Sequence, residues 1–515
     1  MAASALSLNL HGVAPPRFSA HSSANMGTLG NHFNDPSPPF PSSASIFSSR
    51  RTTIMPEPAG SVRVPDSSSL TFDVVIVGAG IIGLTIARHF LLHSNLSVAL
   101  VDAAIPCAGA TGAGQGYIWR VHKIPGSEKW DLAIRSHQLW EALAATIQSR
   151  GTDPLQELGW KKTEVLVWLY MSCVILDEVV VLTNVRVFLL EGSLLVGRIA
   201  EDCSVLRRKV EQLKDAGLGA EFLSSDDLKS EEPALDLGQE CGAAFMPDDC
   251  QLDARHAVAF IEKGNRYYAA HGRYAEFYYE PVTSFLRSES SGKIEAVQTS
   301  KNTLFSKKAV VMAAGCWTGS LIHELLKNSE IEMNFPVKPR KGHLLVLENF
   351  KSLTLNHGLM EVGYGNHELA TIRSTKLESE IGDDANTSSI SMTATMDMSG
   401  RLVLGSSRQL VGFSTEVDES IINRIWERAG EFFPSLTKMS LKDLSKSREV
   451  RVGLRPYMPG GKPVLGPVPG LSNLFIAAGH EGEGLSLALG TAEMIVDMVL
   501  DNPPKVNPAP FSARF

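Results

Sequence analysis

The clearest hydrophobic pattern in the chain is an apolar, β-branched run at residues 74–77 that breaks into Gly-Ala-Gly-Ile-Ile-Gly at residues 78–83. Apolar residues then recur at helical spacing through residue 90, which predicts a strand, a tight turn and a helix. A second apolar run at residues 98–101 predicts the next strand, and it ends on Asp102, 19 residues after Gly83. The pattern therefore predicts a βαβ unit with a Gly-x-Gly-x-x-Gly turn.

This turn has the chemistry of a dinucleotide-binding site. Gly78 and Gly80 let the backbone turn sharply and approach a pyrophosphate, and Gly83 lets the helix pack tightly on the strand. The helix N-terminus adds unpaired N–H groups and a positive dipole end for the phosphates. Asp102 suits a ribose 2′-hydroxyl and would repel a 2′-phosphate. A glycine-rich turn in an ordinary βαβ unit would not need this acidic residue, so dinucleotide binding is the favoured interpretation.

Hydrophobic spacing also predicts the remaining elements. Helices are predicted at residues 129–149, 205–215, 224–228, 253–271, 421–433 and 485–500. Strands are predicted at residues 158–163, 192–197, 276–285, 307–314, 337–348 and 401–407. Small or polar residues predict loops at residues 107–117, 378–391 and 410–415. The later strands are typical of an antiparallel sheet, which would follow an α/β unit.

Residues 164–191 differ from their surroundings, because they are almost entirely β-branched or apolar and contain no Gly or Pro. Three interpretations are open. A membrane span would have a suitable length, but Asp177 and Glu178 would lie in mid-bilayer. A buried pair of strands is the second. A retained intron or mis-assigned exon is the favoured one, because deletion leaves a natural short connection and a random apolar translation explains the lack of turn residues. If the segment is present in the protein, it should promote aggregation.

Residues 1–65 have a different composition from the rest. They are rich in Ser, Ala and Pro, and Asp35 is the only acidic residue in the first 56. Together with Arg17, Arg50 and Arg51 and the lack of a long apolar stretch, this is typical of an organelle transit peptide. The Met-Ala-Ala-Ser start favours the chloroplast (plastid stroma), with the mitochondrion as the alternative. An ordinary disordered tail is the remaining interpretation.

Overall composition narrows the protein class. At 515 residues the chain is long enough for two domains, and its 44% hydrophobic and 20% charged content is typical of a globular protein. A net charge of −8 gives no general attraction to nucleic acid or to an anionic membrane. The six cysteines are scattered without a Cys-x-x-Cys pair, which predicts neither a disulfide framework nor a metal site and fits a reducing compartment.

Four separated blocks give the chain a family resemblance. They are the turn at residues 77–83, the loop at 110–114, the segment Val-Val-Met-Ala-Ala-Gly-Cys-Trp at 310–317, and the C-terminal pair Gly-Leu-Arg-Pro at 453–456 and Gly-His-Glu-Gly-Glu-Gly at 479–484. In this order they resemble the FAD-dependent oxidoreductases of the D-amino-acid oxidase superfamily, which includes glycine and sarcosine oxidases and D-amino-acid dehydrogenases. The resemblance covers residues 72–500 apart from 164–191.

The resemblance implies an α/β fold in which a Rossmann-like FAD-binding domain, containing the βαβ unit, is joined to a second, mainly antiparallel-sheet substrate domain. The FAD-binding domain would take residues 70–150, 248–325 and 446–502, and the substrate domain residues 151–247 and 326–445. FAD is expected to be non-covalent. Sarcosine oxidases tether FAD through a cysteine near the C-terminus, and the last cysteine here is Cys316.

The resemblance also implies site residues. The cofactor-binding residues carried over are Gly78, Gly80, Ile81, Ile82, Gly83, Asp102, Ala103, Thr111, Gly112, Ala113, Gly114, Gln115, Val282, Ala314, Gly315, Trp317, Gly479, His480, Glu481, Gly482 and Gly484. Arg455 matches the position that pairs with a substrate carboxylate, with a structural arginine before a proline as the alternative. His343 is a tentative catalytic residue, although a solvated basic turn is equally open there. Further pocket candidates are Arg340, Lys341, Tyr364 and Arg373.

The implied function is an FAD-dependent oxidoreductase that oxidises the C–N bond of an amino acid or N-substituted amino acid by hydride transfer to flavin N5, with dioxygen or an unknown electron acceptor. Glu481 and Glu483 stand where related proteins often carry Arg, and this acidity would favour a cationic or larger amine. The alternatives are a 2-hydroxy-acid or glycerol-3-phosphate dehydrogenase, a tRNA-modifying oxidoreductase, against which the acidic charge argues, and an inactive splice isoform. No nucleic acid, metal or membrane span is expected.

Overall fold

A computed structural model describes residues 68–161, 175–176, 179–180, 192–288, 291–327, 335–348, 350, 353–364 and 389–513. The expectations for residues 1–65 and for Arg373 lie outside the described residues. The same holds for most of residues 164–191, where the described part is a short antiparallel pairing of Ile175–Leu176 with Val179–Val180.

The first sheet contains the predicted βαβ unit. The strand Ser68–Val77 pairs in parallel with Val98–Val101 on one side and with Asn302–Met312 on the other. The helix Ile81–His93 connects the first two strands, so the predicted strand, helix and strand are confirmed. The other strands of this sheet are Tyr274–Phe277, Val282–Arg287, Ile294–Thr299, Val464–Val468 and Leu471–Ala478.

The prediction of one continuous strand at residues 276–285 is wrong. The chain forms two strands there, Tyr274–Phe277 and Val282–Arg287. Between them Tyr279 adopts φ +56°, in the left-handed region, and Pro281 has no N–H to donate to a ladder. Both residues interrupt an extended backbone, and the second strand therefore begins at Val282.

Among the described residues, four long helices pack with the first sheet in one hydrophobic cluster, to which the short helix Pro154–Leu158 adds Leu158. The four long helices are Ile81–His93, Trp130–Ser149, Ala254–Arg266 and Gly484–Leu500. Trp140 shows how closely they pack, because it is fully buried and its Nε1 donates to the carbonyl oxygen of Leu485 at 3.0 Å. The predicted helices at residues 129–149, 253–271 and 485–500 are confirmed, and the second of them ends in the 3-10 turn Tyr267–His271.

Within the described ranges, the second sheet has eight strands and is mainly antiparallel, as the resemblance implied. Its strands, in spatial order, are Arg448–Tyr457, Lys338–Leu347, Leu402–Arg408, Ser389–Met396, Gly358–Glu361, Ser193–Gly197, Gly242–Met246 and Glu221–Leu223. One parallel pair, Gly358–Glu361 with Ser193–Gly197, stands among antiparallel neighbours. The helices beside this sheet are Ala200–Asp215, Ser225–Glu231 and Glu419–Gly430, each at a predicted position. The α/β fold class is confirmed.

The strand Arg448–Tyr457 bears on the predicted domain boundaries. It falls within residues 446–502, which were assigned to the FAD-binding domain, but it pairs along its length with Lys338–Leu347 in the second sheet. The other domain boundaries stay predictions. This strand carries Arg455, so the second sheet positions the residue that was matched to a substrate carboxylate.

Two local predictions need correction. Residues 158–163 were expected to form a strand, but Leu158 ends the short helix Pro154–Leu158 and Gly159 follows in the left-handed region with φ 63°. The cause is local, because the Asp153 side chain caps this helix by accepting from the N–H of Leu155 at 2.9 Å. Within the loop predicted at residues 378–391, the last three residues begin the strand Ser389–Met396, and 378–388 lie outside the described residues.

The remaining elements are short or peripheral. They are the helices Ala110–Ala113 and Thr318–Leu326, the 3-10 turns Gly315–Trp317, Leu436–Lys438, Glu481–Glu483 and Ala509–Phe511, and the paired strands Tyr117–Ile118 and Cys250–Gln251. Across the residues that the structure describes, none of the helices has both the length and the apolarity that a membrane crossing requires.

Replacement of Gly83 tests the packing of the glycine turn. A Cβ at this position would overlap the carbonyl oxygen of Gly78, so the turn must move. We expect Gly83→Ala to lower the free energy of unfolding by about 2 kcal/mol or more, which denaturant melts would measure. Gly219→Ala is the control, because its Cβ would lie 3.9 Å from the nearest atom, Asp248 Oδ2. Equal stability of the two variants would contradict this account of the turn.

Candidate active site

A cavity of about 510 Å³ lies where the carboxyl ends of parallel strands in the first sheet meet one face of the second sheet. The first sheet contributes Val77, Val101 and Ala313 to its wall. The second sheet contributes Leu344 and Leu454. Ligands of open α/β sheets bind at such carboxyl ends, so the position of the cavity is that of a nucleotide site.

The glycine turn forms one wall of this cavity. Gly78 has φ +113°, and a Cβ there would overlap the carbonyl oxygen of Ala313, so the two strand ends approach each other as closely as their backbones allow. The N–H of Ala79 donates to Asp102 Oδ2 at 2.6 Å. The helix that begins at Ile81 starts at the cavity wall, where its first N–H groups have no partner inside the helix.

Most of the carried-over cofactor residues line the cavity. These are Gly78, Gly80, Ile81, Ile82, Asp102, Ala103, Thr111, Ala113, Gly114, Gln115, Val282, Ala314, Gly315, Trp317, His480, Glu481, Gly482 and Gly484. Gly83, Gly112 and Gly479 do not line it. Side chains at the first two would overlap the carbonyl oxygens of Gly78 and Cys107. At Gly479, φ is +86° and a Cβ would lie 3.0 Å from that of Met458. These three positions shape the turns behind the wall.

Arg455 brings a positive charge to the wall. Its side chain crosses the backbone of Gly342 on the neighbouring strand, at a point where a Cβ would lie 2.6 Å from the guanidinium carbon. Its Nη1 donates to the carbonyl oxygen of Ser407 at 2.9 Å. A guanidinium has five N–H donors, so among the described residues this one hydrogen bond leaves most of them unused in a side chain that lines the cavity. Burial lowers the pKa of Arg455, but an arginine stays charged at any physiological pH.

Two tyrosines lie beside this guanidinium. Tyr117 and Tyr364 both line the cavity, and Tyr117 stacks on Trp119 with ring centroids 4.0 Å apart. The Tyr117 hydroxyl donates to Gln115 Oε1, which also accepts from Thr393 Oγ1 at 2.9 Å. Burial raises the pKa of Tyr117, so its phenol stays protonated. Tyr117 was missed as a site residue, although it is the last residue of the predicted loop 107–117, and in the structure it begins the strand Tyr117–Ile118.

The acidic turn before the last helix is neutralised by cations. Glu481 pairs with the buried Arg340, which also lies over the Tyr457 ring at 3.8 Å. Glu483 pairs with Lys123 and, at 2.6 Å, with Lys129. Burial alone would raise the pKa of the Glu483 carboxyl, but the two lysines hold it well below its usual range.

This neutralisation corrects the expectation drawn from the acidic turn. Glu481 and Glu483 were expected to favour a cationic or larger amine, but each carboxylate already has a cationic partner inside the protein. The turn therefore gives no reason to expect a cationic substrate. The three partner residues come from distant parts of the sequence, and their pairing could not be read from the turn itself.

His343 lies outside the cavity lining. It is fully buried, its Nδ1 lies 3.0 Å from Ser407 Oγ, and its Nε2 accepts from the N–H of Asp418 at 3.2 Å. Burial lowers the pKa of this histidine. Both ring nitrogens are therefore occupied by partners outside the cavity lining, Ser407 and Asp418. The tentative catalytic role of His343 therefore gains no support from its position.

The other basic candidates have structural partners as well. Arg340 holds Glu481, and Lys341 donates from Nζ to the carbonyl oxygen of Glu416 at 3.1 Å. His480 does line the cavity, but its Nε2 lies 3.0 Å from Thr491 Oγ1, and burial lowers its pKa to about 4. It is therefore neutral at physiological pH. Among the described residues, no cluster of His, Cys, Asp and Glu could hold a metal ion.

Comparison with known proteins agrees with this geometry. The family of FAD dependent oxidoreductases matches residues 73–498, and the chain belongs to this family. It is 24% identical over 445 residues to a glycine oxidase of Geobacillus kaustophilus, covering 86% of this chain and 96% of the relative. It is also 24% identical over 455 residues to D-amino acid dehydrogenase 1 of Mesorhizobium japonicum, covering 84% and 97%. The crystal structure of glycine oxidase from Geobacillus kaustophilus superimposes with a TM-score of 0.65 at 21% identity, covering 87% of this chain and 100% of that one.

The cavity fits the FAD that the family uses. Gly78 provides the close backbone approach that a pyrophosphate needs, and the helix beginning at Ile81 turns its N-terminus to the cavity. The N–H of Ile81 donates to Thr111 Oγ1 at 3.2 Å, so the phosphate contacts of this end fall to the next N–H groups of the first turn. Asp102 presents a carboxylate in the wall after the second strand of the βαβ unit, where an adenosine ribose is bound in this type of fold. The chain is therefore an FAD-dependent oxidoreductase.

Loss of the Glu483 charge should destabilise the protein in a pH-dependent manner. The folded-state pKa of Glu483 lies below its unfolded value, so its ion pairs contribute stability above the unfolded pKa and lose it as pH falls through the folded pKa. We expect Glu483→Gln to cost about 3 kcal/mol at pH 7, because two lysines lose a largely buried partner. The difference from the wild type should shrink below about pH 4.

Urea melts at a series of pH values would measure this difference. Glu419→Gln is the control, because its ion pair with Arg448 is exposed and should be worth no more than about 1 kcal/mol. A pH-independent difference for Glu483→Gln, or one as small as that of the control, would show that the ion pairs do not hold this turn.

Proposed function

We propose that this protein oxidises the C–N bond of an amino acid or N-substituted amino acid. The observation that carries the proposal is Arg455, a guanidinium in the wall of the FAD cavity whose hydrogen bond to Ser407 leaves most of its donors unused within the described part of the chain. A planar fork of this kind suits bidentate pairing with a carboxylate. The family relatives named as a glycine oxidase and a D-amino acid dehydrogenase act on substrates of this class, which supports the proposal.

In the proposed reaction the chain orients the substrate and controls its protons. FAD, when bound, supplies the hydride acceptor at its N5 for the substrate Cα–H. Arg455 holds the carboxylate, so the Cα lies at a fixed distance from the guanidinium. The positive charge of Arg455 also lowers the pKa of a nearby amine, and this favours the neutral amine that must lose the hydride.

Tyr117 is placed to contact the amine. Its hydroxyl hydrogen is committed to Gln115 Oε1, so the lone pairs of the phenol oxygen can accept a hydrogen bond from a substrate N–H. Thr393 binds the same Gln115 oxygen and fixes the amide orientation. The Tyr364 hydroxyl lies near Gly482 and Arg455, where it can donate to the carboxylate.

The cofactor contacts are part of the same proposal. Asp102 would bind the adenosine ribose, the glycine turn the pyrophosphate, and the N-terminus of Gly484–Leu500 would direct its positive dipole end toward the flavin pyrimidine ring. FAD is proposed to be non-covalent. Cys316 lies in the cavity wall, but burial raises the pKa of its thiol to about 12, so it carries no reactive thiolate.

A 2-hydroxy-acid dehydrogenase is the second enzymatic candidate, since a hydroxy acid would present the same carboxylate to Arg455. The products separate the two, because an imine releases ammonia or an amine on hydrolysis and a ketone from a hydroxy acid does not. An inactive isoform is the other alternative. It predicts that the full chain binds no FAD, whereas a chain without residues 164–191 does.

Anaerobic mixing of the purified holoenzyme with amino acids and with hydroxy acids tests the function. We expect amino acids to bleach the flavin absorbance and to yield ammonia or an amine. Arg455→Met should lower kcat/KM by about 100-fold or more, because a charged hydrogen-bond pair in the cavity is lost. Gly342→Ala leaves the guanidinium intact but places a Cβ where the guanidinium lies. It should therefore also lower kcat/KM, through a higher KM.

Gly219→Ala serves as the control in these assays, because it lies in an exposed loop far from Arg455 in the sequence. Bleaching by hydroxy acids alone would overturn the proposal in favour of the second candidate. Unchanged kcat/KM in both Arg455→Met and Gly342→Ala would show that the carboxylate binds elsewhere.

We further propose that residues 1–65 direct the protein to the plastid stroma. Their support is compositional, since they contain Arg17, Arg50 and Arg51 but one acidic residue in the first 56. A fluorescent protein fused behind residues 1–65 should enter isolated plastids and be shortened on import. Import into mitochondria alone would favour the alternative address, and import into neither would leave an ordinary tail. The same fusion with the three arginines changed to glutamate is the control and should not be imported.

A further inference from the structure

A stacked pair of aromatic rings joins the two sheets beside the cavity. Trp317 lies in the turn that follows the strand Asn302–Met312 of the first sheet, and Phe413 lies in the loop that follows the strand Leu402–Arg408 of the second sheet. Their ring centroids are 6.0 Å apart, with the ring planes 23° from parallel. Both side chains remain exposed, at 43% and 46%. Two large aromatic side chains exposed side by side next to a cavity call for a functional explanation.

Trp317 marks the place where the cavity opens to solvent. Trp317 and Ile105 both line the cavity, and both are exposed, so we call this place the opening. Ile105 follows closely after Asp102 in the chain. A Cβ at Gly109, in the loop of small residues, would lie 3.6 Å from Trp317 Cζ3. Asp102 and this loop are on the cofactor side of the cavity, so the opening lies beside the cofactor.

Phe413 belongs to an irregular segment, residues 409–418, which we call the strap. Lys341 holds the strap in two places. Its backbone exchanges two hydrogen bonds with Gln409, at 2.8 and 2.9 Å, and its Nζ donates to the carbonyl oxygen of Glu416 at 3.1 Å. Both contacts connect the strap to the second sheet, while its middle reaches the Trp317 ring.

His343 holds the far end of the strap. The Nε2 atom of this buried histidine accepts from the N–H of Asp418 at 3.2 Å. Asp418 in turn caps the helix Glu419–Gly430, since its carboxylate accepts from the N–H of Ser420 at 3.0 Å. Between the fixed ends, Gly412 has φ +64°, a conformation that favours glycine, and it turns the chain directly before the aromatic residue. The strap therefore has fixed ends and presents its ring at the opening.

We propose that the strap is a gate for FAD, closed by the stacking of Phe413 on Trp317. Phe413 is a positioning residue, because it acts on the opening through the Trp317 ring. The ends of the strap stay attached to the second sheet, so opening costs one ring contact and not the unfolding of an element. One aromatic pair is weak enough to break during cofactor exchange and strong enough to slow it. The inference rests on FAD as the cofactor and does not depend on the proposed substrate.

The rates of FAD release and FAD entry test the inference in the full-length protein. Dilution of the FAD-loaded protein gives the release rate, from the rise in fluorescence as free FAD appears. Stopped-flow mixing of the apoprotein with FAD gives the entry rate. We expect Phe413→Ala to raise both rates by about 3-fold to 10-fold, the factor that corresponds to one aromatic pair. Both rates should change together because a gate acts on the barrier between the free and bound states.

Three further variants separate the ring contact from general structure. Phe413→Tyr retains the ring and should keep the wild-type rates. Lys341→Met retains the ring but removes the hydrogen bond to Glu416, and it should raise both rates in the same direction. Tyr267→Ala is the matched control, because this exposed tyrosine contacts the Tyr268 ring at 5.5 Å and lies outside the cavity lining. It should keep the wild-type rates.

A double variant tests whether Phe413 acts through Trp317. In a Trp317→Ala protein, Phe413→Ala should change neither rate further, whereas additive effects would overturn the proposed contact. Faster release without faster entry in Phe413→Ala would give Phe413 a purely structural role and overturn the gate. Unchanged rates in both Phe413→Ala and Lys341→Met would also overturn it, as would an equal acceleration by Tyr267→Ala.

Discussion

The site depends on the neutralisation of two carboxylates in the turn that precedes the last helix. Glu481 and Glu483 lie beside the cavity, where unpaired negative charges would oppose both an anionic substrate and the charge that a flavin gains on reduction. Arg340 from the second sheet and two lysines from the segment before the helix Trp130–Ser149 remove that charge. The same ion pairs connect the turn before the last helix to the second sheet and to the segment that carries the two lysines. They therefore set both the charge and the position of this turn.

Much of the fold could be predicted from the sequence because its signals are local. The glycine turn at residues 78–83, the apolar runs on either side of it and Asp102 lie within one short segment, and the structure places them as the pattern indicated. The prediction of one strand at residues 276–285 was wrong because Tyr279 in the left-handed region and Pro281 interrupt the strand. The hydrophobic pattern used for that prediction does not report backbone conformation or a missing N–H. The helix Pro154–Leu158 was missed for a similar reason, since a single capping aspartate decides it.

The candidate site was only partly predictable, because its chemistry depends on contacts between distant segments. The glycine turn and Arg455 carry motifs that can be recognised in isolation. Tyr117 carries none, and the Gln115 oxygen to which it donates is fixed by Thr393, which is distant in the sequence. His343 looked suitable from its basic neighbours, but strand alternation turns it away from the cavity. The sequence shows the negative charge of Glu481 and Glu483, but it does not show that this charge is neutralised. The cations that neutralise it, Arg340, Lys123 and Lys129, are far away in the sequence.

The cavity receives its two kinds of ligand contact from separate sheets. Groups that suit the cofactor come from the first sheet, and the guanidinium and phenol groups that suit a substrate come from the second sheet or its neighbours. Substitutions in the second sheet can therefore change the substrate preference without weakening the binding of FAD. Such a division lets an ancestral flavoprotein diversify by repacking one surface, and it explains how proteins with different substrates can retain a common scaffold at low sequence identity.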